Sequence, residues 1–375
     1  MGLRTHWFDN LDDIQPWQRQ WDALAMRQAI PLPMMALSWV LAWLHNLATE
    51  QTNIRFGIVI DGDRLVAAIP LVKQRIWGRN SLTSPYDIHS SCSGMIVEHA
   101  YAESASDALL SSIAGQRHLR CGELVQRGVA TDSPGLSSAV GWRRIANHRN
   151  VGSFLPVPDD YTNWLAGLSK NFRANLRKTE RRWKEAGLEN RSFVWCRGMD
   201  AAPSLLRAFL DLECAGWKGR AETAIAQDPA LVGFYGELVE RFERLGWLEW
   251  HFLYFKGTLI AAHLGIRMGR SLTLLKIAYD ESYAQLSPGN TLFRSLVEKS
   301  VLDGDLDEIN CLTDMQWHRN WRMAQRSYSD VRYFPKGVGP YLLGVVPRKL
   351  LTKTRLAKRA MTRKKPETKN RRTKQ

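Results

Sequence analysis

The sequence Lys276-Ile-Ala-Tyr-Asp-Glu-Ser-Tyr-Ala-Gln-Leu-Ser-Pro-Gly-Asn-Thr-Leu-Phe293 joins an apolar strand segment to a polar loop and then to the start of a helix. The Ser287-Pro288-Gly289 step stands at the helix start, where backbone N–H groups lack intrahelical partners and the helix dipole favours negative charge. A glycine there lets the backbone approach a ligand closely. The stretch therefore predicts a phosphate-binding unit. The alternative is that Ser287-Pro288 is only a helix-start signal.

The segments on either side of this unit predict a mixed α/β arrangement. Asp228 and Pro229 suit the cap and first residue of a helix, which Gly246 ends. The elements expected after it are, in order, strands over 248–255, 259–267 and 272–279, a helix that closes at Gly304 and a strand over 307–312. A single helix is expected earlier, over Tyr161 to Glu185.

Two hairpin-like segments resemble each other. Leu65-Val-Ala-Ala68 aligns with Leu259-Ile-Ala-Ala262, and each follows a strand and a Gly-containing turn. A spacing near half the chain indicates two related halves. We therefore predict a mixed α+β fold of two halves, each a mostly antiparallel sheet flanked by helices. The predicted domains are a degenerate first half over 1–156, a main half over 157–340 and a basic tail over 341–375.

The net charge of +15 lies mostly in that tail. Residues 345–375 contain thirteen Lys or Arg and one acidic residue, so the rest of the chain is nearly neutral. An apolar patch, Tyr341–Val346, precedes the cations. This pairing suits a weak anchor on an anionic membrane surface; the alternative is a solubilising or non-specifically nucleic-acid-binding tail.

Other features of the sequence limit the possible cellular location and functional class of the protein. The five cysteines are scattered and odd in number, which argues against a disulfide framework and a structural zinc site. The longest apolar run, Met34–Leu44, is shorter than the ~20 residues of a membrane-spanning helix. We expect a cytoplasmic protein, peripheral at most to the inner face of the membrane. Specific nucleic-acid binding is not expected, since no helix-turn-helix or zinc motif is present.

Several side chains are candidates for chemistry. His263 lies among small residues on a strand and is suited to act as a general base; a hydrogen-bonded structural histidine is the alternative. Lys218 follows Trp217 at a predicted helix end, where it could hold an acidic group or simply lie on the surface. Asp280 and Lys276 flank the strand end, either at a ligand site or as a structural ion pair.

Six short segments occur in a recognisable order: Lys170-Asn-Phe-Arg-Ala-Asn-Leu-Arg177, Trp217-Lys-Gly219, Asp228-Pro229 with Phe234-Tyr235, Ile260-Ala261, Lys276-Ile-Ala-Tyr-Asp280 and Tyr283–Gly289. In this combination, residues 161–321 resemble the acetyltransferase domain of the CelD/BcsL family. That family is a GNAT branch related to the FemAB aminoacyltransferases. The resemblance implies transfer of an acyl group from acetyl-CoA or another acyl-CoA to a small-molecule amine, without a metal. It also links the chain to polysaccharide or cell-envelope biosynthesis.

The resemblance also implies roles for particular residues. The expected catalytic residues are His263, Asp280 and Lys218. The expected coenzyme-binding residues are Ser287, Gly289, Asn290 and Thr291. The expected acceptor-binding residues are Trp217, Lys276, Tyr283, Arg173 and Arg177. The chain departs from the family at the phosphate loop, where it has Gln285-Leu-Ser-Pro-Gly289, and at Gln316-Trp-His318, where a Tyr-Lys pair is expected.

Two other functions fit the same residues. An aminoacyl-tRNA-dependent FemAB-like transferase would bind RNA phosphates with the basic residues of one predicted helix, which are Arg173, Arg177, Lys178, Arg181 and Arg182. A non-catalytic scaffold of a polysaccharide synthesis complex would explain the altered phosphate loop.

Overall fold

The computed structural model of the chain describes residues 2–336 except 77–78, 117–118, 120, 132, 134–140, 201 and 203. The described strands form one large mixed sheet with helices on both faces, and most neighbouring strands are antiparallel. The predicted fold class is therefore confirmed. The proposed boundaries at 156/157 and 340/341 stay a prediction, and the basic tail lies outside the described residues.

The first half supplies seven strands and four helices among the described residues. Its strands are β1 Arg4–Phe8, β2 Asn53–Asp61, β3 Arg64–Ile76, β4 Arg79–Thr83, β5 Ile96–Val97, β6 Glu123–Ala130 and β7 Trp142–Pro156. Its helices are α1 Leu11–Ile14, α2 Gln18–Met26, α3 Leu37–Asn46 and α4 Ala102–Gly115.

The second half supplies the remaining described elements. Its strands are β8 Arg191–Arg197, β9 Leu248–Phe255, β10 Thr258–Met268, β11 Ser271–Tyr279, β12 Glu308–Asn310 and β13 Ala324–Pro335. Its helices are α5 Tyr161–Gly167, α6 Lys170–Ala186, α7 Leu205–Ala215, α8 Trp217–Arg220, α9 Pro229–Arg244, α10 Pro288–Asp303 and α11 Gln316–Asn320.

The sheet joins the halves by exchanging their last strands. The strand order is β1-β2-β3-β4-β6-β13-β7-β12-β11-β10-β9-β8, with β5 on β3. Thus β7 of the first half pairs with β12 of the second, while β13 of the second half pairs with β6 of the first. Only β4–β6 and β11–β12 are parallel among the described pairs. Each half therefore contributes one parallel pair in an otherwise antiparallel sheet.

The two similar hairpins share a structural irregularity. In the first, Val59 pairs with Ala67 and Ile60 with Leu65, which leaves Val66 as an extra residue. In the second, Ile260 is the extra residue, because its neighbours pair with Tyr254 and Leu253. The two bulges occupy equivalent positions in the aligned sequences, and bulges are features that related folds retain.

Apolar packing holds the halves together on one face of the sheet. Helices α2 and α3 share a core with α7 and α9. Trp39 of α3 meets Phe234 of α9 edge-on, with ring centroids 5.5 Å apart. On the opposite face α4 covers the first half, whereas α6 and α10 cover the second.

The local predictions are mostly confirmed. The Asp228 side chain caps α9 by accepting from the Ala230 N–H, and Gly304 ends α10 in a left-handed conformation. The single helix expected over residues 161–185 was wrong, since α5 and α6 are separate helices. Ser169 caps the second by accepting from the Phe172 N–H, and such a cap competes with continuation of the preceding helix. Among the described helices none is long and apolar enough to cross a bilayer.

Candidate functional site

The candidate site lies where strands β11 and β12 separate. These parallel strands pair only over Ser271–Thr273 and Glu308–Asn310. Beyond that point β11 continues to Tyr279, while the Cys311 N–H, directly after β12, donates to the Ser153 carbonyl of β7. The gap at the carboxyl end of β11 opens toward both faces of the sheet. Crevices outside the carboxyl ends of parallel strands are common ligand sites.

A bulge in β11 determines which face its last side chains occupy. Leu264 pairs with Lys276 and Gly265 with Leu274, so Leu275 is an extra residue. Before the bulge, Leu274 packs with the core under α10. After it, the Lys276 side chain lies on the opposite face, with Nζ 5.3 Å from the centre of the Tyr235 ring in α9. Redirection of side chains is a usual effect of a bulge.

On the α10 face the gap forms a cavity of about 270 Å³, the α10 pocket. It is lined by residues 277–279, 284, 287–290 and 293, together with His263 and Trp317. Ser287 has a left-handed conformation (φ 46°), and its side chain does not cap the helix. The N–H groups of Gly289 and Asn290 have no hydrogen-bond partner among the described residues. They form a donor pair suited to a phosphate group.

His263 is buried in the wall of this pocket. It is 3% exposed, and the structure gives its Nδ1 no hydrogen-bond partner in the described part of the chain. Burial, and then the neighbouring His251, hold the pKa of His263 well below its usual value. The ring is therefore neutral at neutral pH and has a free lone pair, as a proton acceptor requires.

A chain of buried polar groups lies behind His263. The ring of His251 is edge-on to that of His263, with centroids 5.6 Å apart. His251 Nε2 donates to Glu249 Oε1 at 2.8 Å, and Arg267 donates to both oxygens of Glu249. Because an ionised carboxylate can only accept, His251 presents a proton to it on Nε2.

A polar groove of about 540 Å³ extends from the α10 pocket along α6. Ser287 and Asn290 line both spaces. The groove also contains the cations Lys178 and Arg182, and Arg182 donates to the Gln285 carbonyl. Two asparagines at helical spacing, Asn171 and Asn175, complete its α6 wall. The groove thus offers positive charge and hydrogen-bonding side chains beside the free N–H pair.

On the other face the gap opens into a cleft of about 510 Å³, the interhalf cleft. Its walls come from both halves, including the first-half loop with His89 and the second-half helices α7 to α9. Lys218 Nζ contacts the buried Glu213 carboxylate at 2.6 Å. His89 Nδ1 lies 3.1 Å from the Tyr235 hydroxyl.

The α10 pocket and the interhalf cleft meet at the strand gap. Both are lined by Ile277, Ala278, Tyr279 and Trp317. Trp317 packs edge-on against Phe293 of α10, with centroids 5.5 Å apart. One ligand can therefore enter on each face of the sheet, with their reactive ends meeting beside Trp317.

The structure distributes the predicted residues unevenly around these spaces. His263, Ser287, Gly289 and Asn290 line the α10 pocket, and Lys218 and Lys276 line the interhalf cleft. The Trp217 side chain lies outside the described part of the structure. Five of the twelve predicted residues are therefore left to consider, and three of them make side-chain contacts that the structure shows.

Those contacts lie apart from the pockets. Asp280 accepts from the N–H and hydroxyl of Ser282, and the Thr291 hydroxyl donates to the Leu286 carbonyl. Tyr283 is edge-on to Phe255. Arg173 and Arg177 are on α6 but do not line the groove.

Lys178 and Arg182 were among the basic side chains that the sequence offered to nucleic-acid phosphates, and their i, i+4 spacing places them on one side of a helix. Tyr235 and Trp317 stand in segments compared with the CelD/BcsL family but were given no role, and His89 was not selected. The place of these three residues at the site depends on packing between distant segments. Within the described residues, no group of three or more His, Cys, Asp or Glu is arranged to hold a metal ion.

Comparisons with known proteins agree with this architecture. Residues 170–321 match the family described as Acetyltransferase (GNAT) domain. A comparison with curated protein sequences finds no match. The solved structure of FemX has a TM-score of 0.61 at 9% identity, covering 90% of this chain and 99% of FemX.

Two further solved structures are similar over most of the chain. A conserved protein of unknown function from Bacteroides thetaiotaomicron has a TM-score of 0.54 at 12% identity, covering 88% of this chain and 100% of its own. The C-terminal domain of a proposed lysylphosphatidylglycerol synthetase from Agrobacterium fabrum has a TM-score of 0.50 at 9% identity, covering 88% and 94%. At these identities the similarity concerns the fold alone. The chain therefore shares its overall fold with FemX, and within it residues 170–321 match the family of GNAT acetyltransferase domains.

Proposed function

We propose that this protein is an acyl-CoA-dependent N-acyltransferase of the CelD/BcsL type, which acts on an amino sugar or a similar envelope-polysaccharide precursor. Acyl-CoA supplies an acyl group activated as a thioester. The phosphates of the coenzyme would bind at the N–H pair of Gly289 and Asn290, with Lys178 and Arg182 nearby in the groove. The amine acceptor would enter from the interhalf cleft.

The chain's own residues account for the proton transfer. As the amine nitrogen bonds to the acyl carbon and the thiolate leaves, the nitrogen must lose a proton. His263 is neutral and its Nδ1 has no hydrogen-bond partner among the residues that the structure describes, so the ring can accept that proton directly or through one water. Asp280 is the weaker candidate, since its carboxylate already accepts two hydrogen bonds from Ser282.

The observation that carries the proposal is the conjunction of two unmet polar groups in one pocket. The free N–H pair at the start of α10 suits a phosphate, and the unpartnered His263 ring suits a base. A buried polar group normally has a partner, so the unpartnered Nδ1 of His263 calls for a ligand or a chemical role. The N–H pair lies beside it in the same pocket, where a helix start favours an anion.

The test is a coenzyme A release assay against a panel of amino sugars and nucleotide amino sugars, combined with calorimetry of coenzyme A binding. Release that depends on one acceptor class supports the proposal. A folded protein that neither binds coenzyme A nor releases it from acetyl-CoA would contradict it and favour the scaffold hypothesis.

Aminoacyl-tRNA-dependent transfer is the second candidate. It is supported by the FemX-like fold over both halves and by the cations Lys178 and Arg182 beside the α10 pocket. Its signature is tRNA that co-purifies with the protein and is lost when both cations are replaced by Met. Coenzyme A binding without tRNA would eliminate this candidate.

Replacing Gly289 by Val should weaken coenzyme A binding by about ten- to hundredfold, the cost of disturbing one or two hydrogen bonds to a charged group. A Cβ at this position lies 3.5 Å from the Tyr279 ring, an ordinary contact, so the fold should tolerate the change. The branched side chain would nevertheless obstruct the approach of a phosphate to the N–H pair. Calorimetry measures the affinity.

The matched control for this change is Gly236→Val in α9, where an added Cβ has open space. It should leave coenzyme A affinity unchanged. Unaltered affinity in a folded Gly289→Val protein would exclude this loop as the phosphate site.

We further propose a cytoplasmic location with peripheral attachment to anionic membranes through the tail, which lies outside the described residues. Each Lys or Arg near such a surface contributes about 1 kcal/mol. The full chain should therefore sediment with anionic vesicles at low salt, whereas a chain ending at Pro340 should not. Equal sedimentation of both forms, or binding insensitive to salt, would refute the anchor, because salt screens electrostatic attraction.

A further inference from the structure

We propose that the interhalf cleft recognises its ligand through an anionic group, a phosphate or a carboxylate, which Lys276 binds. This inference deepens the proposed function, since it rests on the cleft being the acceptor site. It narrows the acceptor to an amino compound that also carries a negative charge.

The first support is that Lys276 has no anionic partner in the part of the chain that the structure describes. Its side chain is half-buried on the cleft face of β11, directed there by the bulge at Leu275. Within the described residues its Nζ makes no hydrogen bond or ion pair, and its recorded contact is with the face of the Tyr235 ring. A cation withdrawn from water without a partner is unfavourable. A ligand anion would remove that penalty.

The second support is that Glu213, whose carboxylate lines the cleft, already accepts hydrogen bonds through both oxygens. Glu213 Oε1 accepts from Lys218 Nζ at 2.6 Å, and Oε2 accepts from the Ile225 N–H at 2.9 Å. One carboxylate therefore faces two lysines, which leaves an excess of one positive charge. Burial, and then the charge of Lys218, lower the pKa of Lys276 to about 8, against the opposing effect of Glu213.

The other titratable groups of the cleft do not supply an anion. Besides Glu213, Lys218 and Lys276, the titratable side chains that line the cleft in the described part of the chain are His89, His318, Tyr235, Tyr279 and Cys311. Burial, followed by the charge of Lys276, lowers the pKa of His89. Burial raises the pKa of Cys311 to about 12, so this thiol stays protonated. None of these five side chains is a carboxylate, so Lys276 is the cation of the described lining that remains without a compensating anion.

The rim of the cleft differs in character from its interior. Three large apolar side chains are exposed there: Ile88 at 85%, Met315 at 53% and Tyr279 at 40%. An apolar rim around an unpaired cation suits a ligand whose charge enters first and whose carbon skeleton stays at the opening. Free solvent ions would lack the second contact.

The experiment measures binding by calorimetry with three probes that have no free amine. They are N-acetylglucosamine 6-phosphate, N-acetylmuramic acid and neutral N-acetylglucosamine, and inorganic phosphate serves as a competitor. The phosphate or carboxylate sugar should bind about ten- to hundredfold more tightly than the neutral sugar, as expected for a charge-assisted hydrogen bond. The first two probes distinguish a phosphate from a carboxylate.

Lys276→Met should abolish this preference, and Lys276→Arg should retain most of it. Binding at pH 8 should also take up about half a proton, because an anion raises the pKa of a half-protonated lysine. Proton uptake is obtained by repeating calorimetry in buffers of different ionisation enthalpy. Lys184→Met, an exposed lysine of α6 outside the three spaces, is the control and should change neither quantity.

Equal affinity for anionic and neutral sugars would overturn the proposal. So would a preference that survives Lys276→Met, one that Lys184→Met reduces equally, or failure of all three sugars and phosphate to bind. These outcomes are separate from those of the coenzyme experiments. Binding of anionic sugars without binding of coenzyme A would support the anion site and contradict the proposed function. Binding of coenzyme A without a preference for anionic sugars would support the proposed function and contradict the anion site.

Discussion

Replacing His263 by Gln should lower kcat of acyl transfer by about a hundred- to ten-thousandfold, the usual contribution of a general base. The ring lies buried in the α10 pocket, and its Nδ1 has no partner among the described residues. Glutamine has a similar volume and can form hydrogen bonds, but its amide does not accept a proton near neutral pH. Coenzyme A release at saturating acceptor measures the loss, and the unfolding midpoint reports whether the variant folds.

The pH profile gives an independent check. The pKa of His263 is lowered by burial and then by His251, so the neutral, competent form persists below pH 6.5. The histidine-dependent acid limb of kcat should therefore lie below that pH. In a histidine-labelled protein, the NMR signal of His263 should likewise titrate below the ordinary range, with no substrate present.

His89→Gln serves as the matched comparison, because His89 borders the interhalf cleft instead of the α10 pocket. It should reduce kcat far less than His263→Gln. If His89→Gln causes the larger loss and His263→Gln leaves kcat intact, the base acts from the cleft side and the assignment to His263 fails.

Local features of the fold were predictable because their causes are local. The cap at Asp228, the stop at Gly304 and the strands after α9 follow from residue types whose backbone preferences act over a few positions. The similar hairpins were visible as a repeated sequence. The exchange of β7 and β13 between the halves could not be predicted, since strand pairing over such distances depends on how both halves pack within the single sheet.

The candidate site was predictable where backbone geometry creates it. Ser287-Pro288-Gly289 marked a helix start, and the structure adds that Ser287 leaves the next N–H groups free. Lys276 was selected for its place at a strand end. Its position in the cleft depends on the bulge at Leu275, which no residue pattern in the sequence indicated. The catalytic and binding roles assigned to these residues stay predictions.

The largest stability effect is expected for Glu249, which lies at the centre of the buried chain behind His263. Glu249→Ala should lower the free energy of unfolding by about 3–5 kcal/mol, because removal of one partner leaves the Arg267 charge buried without it. Arg267 is 7% exposed, and its remaining partner is Asp305, at 3.0 Å. That surviving contact places the expected loss near the lower figure. Urea unfolding followed by tryptophan fluorescence measures it.

Two controls distinguish the effect of breaking a buried charge network from the effect of removing any charged side chain. Arg270→Ala breaks an exposed ion pair with Asp307 and should cost less than about 1 kcal/mol. In the double variant Glu249→Met with Arg267→Met, both charges are replaced by apolar groups of comparable length. It should recover part of the loss, since no unpaired charge remains.

The contribution of Glu249 to the free energy of unfolding should disappear in acid, because its pKa is lower in the folded state than in the unfolded state. Burial opposes ionisation, but the hydrogen bonds and charges of His251 and Arg267 outweigh it and lower the pKa to about 2. A carboxyl group with a depressed pKa stabilises the fold above its unfolded-state value and loses that contribution as the pH falls toward the folded-state value. The stability difference between wild type and Glu249→Gln should therefore be constant above about pH 5 and shrink between pH 4 and pH 2. A difference that stays constant down to pH 2 would mean that Glu249 is not held ionised by this network.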